Sequence, residues 1–88
     1  MFYVYVLKSK RYKELYIGST NDLKRRLAEH NKGKIISTKK KKPYTLLYYE
    51  AYGAESDARR RESMLKLRGQ ARNQLLLRLK DTLLQNES

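Results

Sequence analysis

Five polar side chains of types that transfer protons or bind ions lie at intervals along the chain: Tyr5, Tyr16, Arg26, His30 and Glu62. A phenol or an imidazole can take or relay a proton, and a guanidinium can hold two phosphate oxygens. A single carboxylate is a normal ligand set for Mg²⁺, which keeps most of its waters. Each residue alone also has an ordinary structural explanation, because tyrosine is favoured in strands and most charged side chains are solvated. Whether they form a site depends on the elements that position them.

The two tyrosines lie in segments that are predicted to pair as a hairpin. Phe2–Lys8 is apolar on both faces, which is typical of a central strand covered on both sides. A polar connector over residues 9–13 leads to a second strand over Glu14–Ser19. If the loop holds an even number of residues, odd positions of the first strand face even positions of the second. Tyr5 and Tyr16 then share one face of the sheet.

The next helix is predicted to carry the arginine and the histidine. Leu23 and Leu27 mark its buried seam, and Arg26 lies at the edge of that seam. Arg25 is about 200° around the helix from Leu23, so we expect it to face solvent. His30 follows Arg26 by four residues and lies on the same stripe.

Both ends of this helix have sequence signals. Thr20 or Asn21 is expected to cap it, with Asp22 in its first turn, where a negative charge is favoured. Gly33 is expected to end it, after a last helical residue at position 30 or 31.

The remaining chain predicts one strand and two helices. Tyr44–Tyr52 is a tyrosine-rich strand, helices follow over residues 54–68 and 71–84, and residues 85–88 form a frayed tail. The order β-β-α-β-α-α predicts an α/β (α+β) fold in which helices flank a small, three-stranded, mainly antiparallel sheet. With 88 residues, the chain is expected to be a single domain over residues 1–84.

Glu62 is predicted to lie on or beside the apolar seam of its helix, four residues after Ala58. Its ordinary explanation is an ion pair with Lys66 at i+4. Glu55 and Asp57 are fallback acids on the same helix, but near its start they are better explained as complements of the helix dipole.

A basic segment over Lys32–Lys42 connects the first helix to the third strand and has no clear periodicity. We expect it to be a mobile loop. Phosphate contacts from such a segment would give affinity for nucleic acid without sequence choice. A solvated charge run is the alternative explanation. The binding candidates are Lys32, Lys34, Lys39, Lys40, Lys41 and Lys42.

The charge balance indicates a polyanionic partner. Lys and Arg number 21 against nine Asp and Glu, for a net charge of +12. Nucleic acid is the expected partner, and an anionic membrane surface is the competitor. No apolar run approaches a membrane span and the apolar start is too short for a signal peptide, so we expect no membrane insertion and a cytoplasmic location. Without cysteine there can be no disulfide and no thiolate metal site.

The ordered set of motifs resembles the GIY-YIG nuclease domain over residues 2–68, in a short, stand-alone, single-domain form of bacterial type. The first motif is Tyr-Val-Tyr in place of Gly-Ile-Tyr and keeps its last tyrosine, whereas the second is Tyr-Ile-Gly. The motif arginine follows ten residues after the second motif tyrosine. The matching residues are Tyr5, Tyr16, Gly18, Arg26, His30 and Glu62.

The resemblance implies a divalent-metal-dependent endonuclease that hydrolyses DNA phosphodiester bonds, with repair or recombination structures among its candidate substrates. Glu62 would be the sole protein ligand of Mg²⁺ or Mn²⁺, and Arg26 would stabilise the charge of the transition state. Tyr5, Tyr16 or His30 would help to deprotonate the attacking water; the sequence does not choose among them.

Two further residues have lesser roles in this hypothesis. Gly18 would let the backbone approach substrate or a helix closely. Asn73 matches an amide near the site of some family members. Target selection would come from DNA shape, a protein partner or oligomerisation. The main alternative is a nucleic-acid-binding module that has the same fold and no catalytic activity.

Overall fold

Three antiparallel strands form the sheet on which the molecule is built. In the computed structural model, which describes residues 1–86, β1 (Phe2–Ser9) is the central strand. It lies between β2 (Leu15–Thr20) and β3 (Tyr44–Tyr52). The predicted α+β class and antiparallel sheet are confirmed. The helices of this part of the chain are α1 (Leu23–Asn31), α2 (Glu55–Lys66), α3 (Gln70–Arg78) and α4 (Lys80–Gln85).

The β1–β2 hairpin has the register that places the two motif tyrosines on one face. Tyr5 lies opposite Gly18, and Lys8 lies opposite Leu15, so an even number of residues separates the last pair. Tyr16 is two residues from Gly18 and therefore lies on the same face as Tyr5. The prediction that followed from an even loop is confirmed.

β1 is buried on both of its faces, as its sequence predicts. On one face, Val4 and Val6 pack with side chains of β2, α2 and α3. On the other, Tyr5 and Leu7 pack against α1 and the start of β3. The sheet is therefore the middle layer of three, and a side chain of β1 must be accommodated inside the protein whichever way it points.

Helix α1 begins one residue later than its sequence signals suggest. Asp22 is the N-cap, and its carboxylate accepts a hydrogen bond of 3.0 Å from the Arg25 backbone N–H. The expectation that Thr20 or Asn21 would cap the helix is wrong. The Thr20 hydroxyl instead accepts a hydrogen bond from the Asp22 backbone N–H and so fixes the turn that leads into the helix. Gly33 follows the helix in the left-handed conformation, as predicted.

The second predicted helix is shorter at both ends, over Glu55–Lys66, and the third is interrupted. The chain leaves helical geometry at Leu79, which separates α3 from α4. Leu79 is buried, and its backbone N–H still bonds to the Leu75 carbonyl at 3.0 Å. Because Leu75 and Leu83 contact the core on either side of the bend, the leucine spacing fits one helix as well as two.

The predicted tail begins inside α4. Gln85 is the last residue of that helix, and the Asn86 carbonyl accepts a hydrogen bond of 2.6 Å from the Lys8 side chain. Residues 87 and 88 lie outside the described part of the chain. No helix within residues 1–86 is long and apolar enough to cross a bilayer.

The basic segment between α1 and β3, which was expected to be a mobile loop, contains a short helical turn and makes specific contacts with the rest of the protein. Thr38 is fully buried, and the three residues Lys39–Lys41 form a 3₁₀ turn directly after it. The Ser9 hydroxyl of β1 donates a hydrogen bond to the Lys41 carbonyl at 2.5 Å. These partners are remote in sequence, so local composition gave no sign of them.

A half-buried carboxylate ties α2 to the sheet. Glu50 of β3 accepts hydrogen bonds from the Tyr48 and Tyr52 hydroxyls and from two nitrogens of Arg61, at 2.9 and 3.0 Å for the closest pairs. Burial alone would raise the pKa of Glu50, but the bonds from Arg61 and the tyrosines outweigh it and hold that pKa below its usual range. The charge of Glu50 therefore stabilises the packing of α2.

We expect Glu50→Gln to lower the free energy of unfolding at neutral pH by about 2 kcal/mol, because the amide cannot accept every bond that the carboxylate accepts. The folded-state pKa is lowered, so this contribution is present at neutral pH and is lost as the pH falls through that pKa. The difference between wild type and variant in urea denaturation should therefore shrink in acid.

Glu55→Gln is the matched control, because Glu55 is exposed and its ion pair with Arg59 is long, at 3.4 Å. Its effect should stay within about 0.5 kcal/mol. Equal destabilisation by the two substitutions would contradict the role given to Glu50.

Candidate active site

Tyr5 and Tyr16 meet beneath the glycine of the second motif. Their ring centroids are 6.3 Å apart, and Gly18 lies directly against the Tyr5 ring. A Cβ at Gly18 would be 2.5 Å from the Tyr5 hydroxyl oxygen, which is closer than non-bonded atoms approach. The absence of a side chain at Gly18 is therefore what lets the phenol of Tyr5 lie under β2.

His30 completes this aromatic cluster from α1. Its ring is fully buried, with its centroid 4.9 Å from that of Tyr16 in an edge-to-face arrangement. Its Nε2 atom is 3.0 Å from the Tyr5 hydroxyl, and its Nδ1 atom is 2.7 Å from the Thr38 hydroxyl. The structure thus brings Tyr5, Tyr16 and His30 together and adds Thr38 to them.

Burial determines the protonation of this cluster. It raises the pKa of Tyr5 to about 12, although the adjacent Arg26 guanidinium opposes the rise. It also lowers the pKa of His30, an effect to which Arg26 adds and which Glu29 opposes. At neutral pH, Tyr5 is therefore a neutral phenol and His30 a neutral imidazole. Neither ring carries a buried charge before a proton passes between them.

Arg26 connects the buried cluster to the surface. Its guanidinium lies beside the Tyr5 hydroxyl, and one of its terminal nitrogens pairs with Glu29 at 3.2 Å. The Nε atom is buried and has no hydrogen-bond partner within residues 1–86. An arginine that retains unused donors at the edge of a cleft is suited to bind an anion.

That cleft opens at the end of the sheet where β1 begins and β2 ends. It has a volume of about 250 Å³ and lies between the first turns of α1 and α2. Arg25, Arg26 and Arg59 line it, together with Ser19. Arg25 is exposed, as predicted, but its guanidinium bonds to Asn21 at 3.1 Å beside the cleft. Arg59 reaches the same cleft from α2.

Glu62 lies on the other side of β2 from the tyrosines. Its Oε1 atom accepts a hydrogen bond of 2.6 Å from the Ser19 hydroxyl, and its Oε2 atom pairs with Lys66 at 2.7 Å, the predicted i+4 partner. Burial alone would raise the pKa of Glu62. The hydrogen bonds from Lys66 and Ser19 lower it by more than burial raises it, so the pKa of Glu62 lies below its usual range. Glu62 is therefore an ionised carboxylate at neutral pH.

One edge strand separates the two halves of the candidate site. Ser19, which holds Glu62, directly follows Gly18, which contacts Tyr5 and Tyr16. The carboxylate is near enough to be among the groups that raise the pKa of Tyr5. The end of β2 is thus the place where the predicted residues converge, from two layers rather than from one surface.

A divalent metal fits only one type of arrangement here. No three His, Cys, Asp or Glu side chains within residues 1–86 come together in a group that could hold a metal ion. A closed protein cage is thus absent from this part of the chain. A single ionised carboxylate at the edge of a cleft suits Mg²⁺ or Mn²⁺ with water and phosphate as the other ligands. For the metal to bind, Lys66 would have to release the Glu62 oxygen with which it pairs.

Of the other predicted residues, the fallback acid Glu55 lines the cleft from the first turn of α2, whereas the candidate lysines and Asn73 do not line it. Five of the six candidate lysines of the basic segment are exposed, and the sixth, Lys41, pairs with Glu14. Asn73 is exposed on α3. Sequence reasoning missed Thr38, Ser19 and the position of the exposed Arg59 at the cleft, because short polar residues and arginines have no periodic signal that separates them from an ordinary surface.

Comparison with known proteins gives concordant results. The sequence model described as the GIY-YIG catalytic domain matches residues 1–75. The UPF0213 protein SpyM50708 of Streptococcus pyogenes serotype M5 is 45% identical over 67 residues, which are 75% of this chain and 72% of that protein. UPF0213 proteins of serotypes M2 and M28 match to the same extent.

A solved structure resembles the whole chain. The solution NMR structure of the UPF0213 protein BH0048 from Bacillus halodurans has a TM-score of 0.56 and 30% sequence identity. The match covers 100% of this chain and 95% of that protein. The two proteins therefore share the same α+β fold.

We expect Gly18→Ala to displace Tyr5 from His30, because the new methyl group would overlap the Tyr5 hydroxyl. The free energy of unfolding should fall by about 1–3 kcal/mol, as for other overpacked interiors. Urea denaturation measures the loss, and the NMR signals of the His30 ring should shift.

Gly53→Ala is the control for the general effect of replacing a glycine. Apart from Gly53 itself and its two chain neighbours, no heavy atom of residues 1–86 lies within 4 Å of a Cβ at Gly53, and its φ is not positive. The two variants should therefore differ clearly in stability; similar stabilities would mean that the Gly18–Tyr5 contact is not tight.

Proposed function

The chain belongs to the GIY-YIG catalytic domain family, a nuclease family, and from this premise we propose that it is a divalent-metal-dependent endonuclease acting on DNA. One observation supports the proposal most directly. A single cleft is lined both by Arg26 and by Ser19, the residue that holds the Glu62 carboxylate. The Arg26 guanidinium therefore lines the cleft, and the Glu62 carboxylate is bonded to a residue of its wall.

In the proposed reaction, the scissile phosphate occupies the cleft and Arg26 stabilises the charge that develops on its oxygens. Arg25 and Arg59 add positive charge on the same walls. Glu62 would hold Mg²⁺ or Mn²⁺, which when bound supplies positive charge to the phosphate and to the leaving oxygen. Lys66, which now pairs with Glu62, would turn toward solvent.

We propose Tyr16 in preference to Tyr5 as the phenol that contacts the attacking water, because Tyr16 is the more exposed of the two. Tyr16 is half-buried, whereas Tyr5 is only 1% exposed and His30 is 0% exposed. A fully buried group cannot touch a water in the cleft without rearrangement. We therefore assign Tyr16 to orient the water and relay its proton, and Tyr5 and His30 to hold Arg26 and the Tyr16 ring in place.

The finer parts of the proposal concern the substrate and its setting. The exposed lysines of the basic segment would bind the phosphate backbone without sequence choice. Repair or recombination structures are the proposed targets, selected by DNA shape, by a protein partner or by oligomerisation. In a bacterium such as those that carry the relatives, DNA lies in the cytoplasm, and we propose that compartment.

The alternative is a nucleic-acid-binding module without catalytic activity. One observation favours it: both oxygens of Glu62 are already satisfied, by Ser19 and by Lys66, without any metal. Removing the Glu62 carboxylate distinguishes the two functions, because the proposed catalysis requires it and nucleic-acid binding alone does not.

We expect the protein to nick supercoiled plasmid, or to cut branched or single-stranded oligonucleotides, in the presence of Mg²⁺ or Mn²⁺. Glu62→Gln should reduce cleavage to the level seen with EDTA, and Arg26→Ala should reduce it by about 10²-fold. Gel assays of initial rate measure both effects.

Asp81→Asn and Arg11→Ala are controls, because both residues are exposed and lie away from the cleft, Asp81 on α4 and Arg11 at the hairpin end of the sheet. They should cleave at the wild-type rate. Salt-sensitive binding without cleavage on any substrate would favour the binding module. Equal cleavage by wild type and Glu62→Gln would show that the metal ligand is wrongly assigned.

The exposed lysines of the basic segment generate a separate prediction about affinity. We expect the double variant Lys39→Ala/Lys40→Ala to bind DNA more weakly in EDTA. The slope of log K against log salt concentration should fall in magnitude by about 0.9 for each phosphate that the variant no longer neutralises. Fluorescence anisotropy over a range of salt concentrations measures the slope.

The matched control carries Arg78→Ala and Lys80→Ala, which remove the same charge from the α3–α4 side of the sheet. Its slope should stay close to the wild-type slope. Identical slopes for the two double variants would mean that net charge, and not the position of the segment, determines binding.

A further inference from the structure

Three buried polar side chains form a continuous chain of contacts from β1 to the basic segment. The Tyr5 hydroxyl contacts Nε2 of His30 at 3.0 Å, and Nδ1 of His30 contacts the Thr38 hydroxyl at 2.7 Å. All three residues are at most 1% exposed. The Thr38 hydroxyl is also within 3.5 Å of the Ile35 carbonyl, which can only accept a hydrogen bond.

The direction of these bonds follows from the donors and acceptors present. The Tyr5 hydroxyl is buried, so its proton requires an acceptor. Its polar neighbours are His30 and the Arg26 guanidinium, and a guanidinium has no acceptor atom. Within the described residues 1–86, Nε2 of His30 is the one partner that can accept this proton, so the neutral ring must carry its own proton on Nδ1. That Nδ1–H in turn requires an acceptor, which is the Thr38 oxygen.

We propose that Thr38 is a positioning residue: by accepting from Nδ1–H it fixes the tautomer of His30, and through Tyr5 it holds Arg26 at the cleft. With Nε2 unprotonated, the Tyr5 proton points to His30 and the lone pairs of its oxygen face the guanidinium. With the opposite tautomer, the Tyr5 proton would be left without an acceptor and directed toward a cation. The role in catalysis rests on the proposed function; the tautomer does not.

Other ionisable groups surround His30 without supplying a competing acceptor. Arg26 and Glu29 act on it from its own helix, with opposite effects on its pKa. Aromatic rings approach it from all three strands. Their hydroxyl groups belong to Tyr5, Tyr16 and Tyr44. Within residues 1–86, Thr38 is the hydrogen-bond partner of Nδ1.

The test uses the fact that the chain contains a single histidine. Long-range ¹H–¹⁵N correlation spectra of uniformly ¹⁵N-labelled, untagged protein at neutral pH report which ring nitrogen carries the proton. Wild type should show the Nδ1–H tautomer. Thr38→Val removes the acceptor while keeping the shape, and should shift the ring toward the Nε2–H tautomer. Thr38→Ser keeps a hydroxyl and should restore the wild-type spectrum.

An Nε2–H tautomer in wild type would overturn the proposal, and this measurement does not depend on any variant folding. An unchanged tautomer in folded Thr38→Val would overturn it as well. Thermal unfolding of both variants identifies a variant that has simply lost its structure.

Cleavage assays separate this proposal from the proposed function. If the protein is a nuclease, Thr38→Val should lower kcat about tenfold with little change in KM, and Thr38→Ser should recover it. A change in KM alone would overturn the positioning role. If no substrate is cleaved, the proposed function fails, while the tautomer measurement still decides whether Thr38 controls His30.

Discussion

The buried hydroxyl of Tyr5 imposes the constraint on which much of this structure depends. β1 is covered on both faces, so a tyrosine in it must bury its polar end wherever it points. An unsatisfied buried hydroxyl costs about 1–3 kcal/mol, a large share of the stability of so small a domain. The structure satisfies it with His30 from α1. Accommodating the phenol also requires a glycine opposite it in β2. The buried His30 of α1, the glycine of the second motif and the buried Thr38 thus all surround one polar atom or its hydrogen-bond partner.

Sequence reasoning predicted the parts of this arrangement that have a period. The two apolar faces of β1 indicated a central strand, and the parity of the hairpin placed Tyr5 and Tyr16 on one face. The i+4 spacing correctly paired Glu62 with Lys66. Each of these follows from geometry that repeats within an element, which is why a sequence alone could reveal it.

The parts that the sequence did not predict depend on contacts between remote residues. Thr38 has no local feature that distinguishes it from the lysines around it, yet it is buried because His30 needs an acceptor. Asp22 caps α1 in place of Thr20, because the Thr20 hydroxyl forms the hydrogen bond of the preceding turn. The bend at Leu79 was hidden because buried leucines lie on both sides of it. For the site, the sequence indicated which residues take part. It did not indicate that the tyrosines and Glu62 would lie on opposite faces of the sheet.

The charge of the basic segment makes its anchors necessary. Four consecutive lysines repel one another, and only Lys41 pairs with an acid, Glu14, within the described part of the chain. Uncharged hydrogen bonds on the buried side of the segment maintain its conformation. Thr38 bonds to His30, and the Ser9 hydroxyl donates to the Lys41 carbonyl. A polyanion bound to the lysines would remove the repulsion and so stabilise the conformation in which Thr38 is seated. The lysines that we propose to bind a phosphate backbone and the threonine that we propose to orient the buried histidine belong to one segment, so binding at the first would favour order at the second.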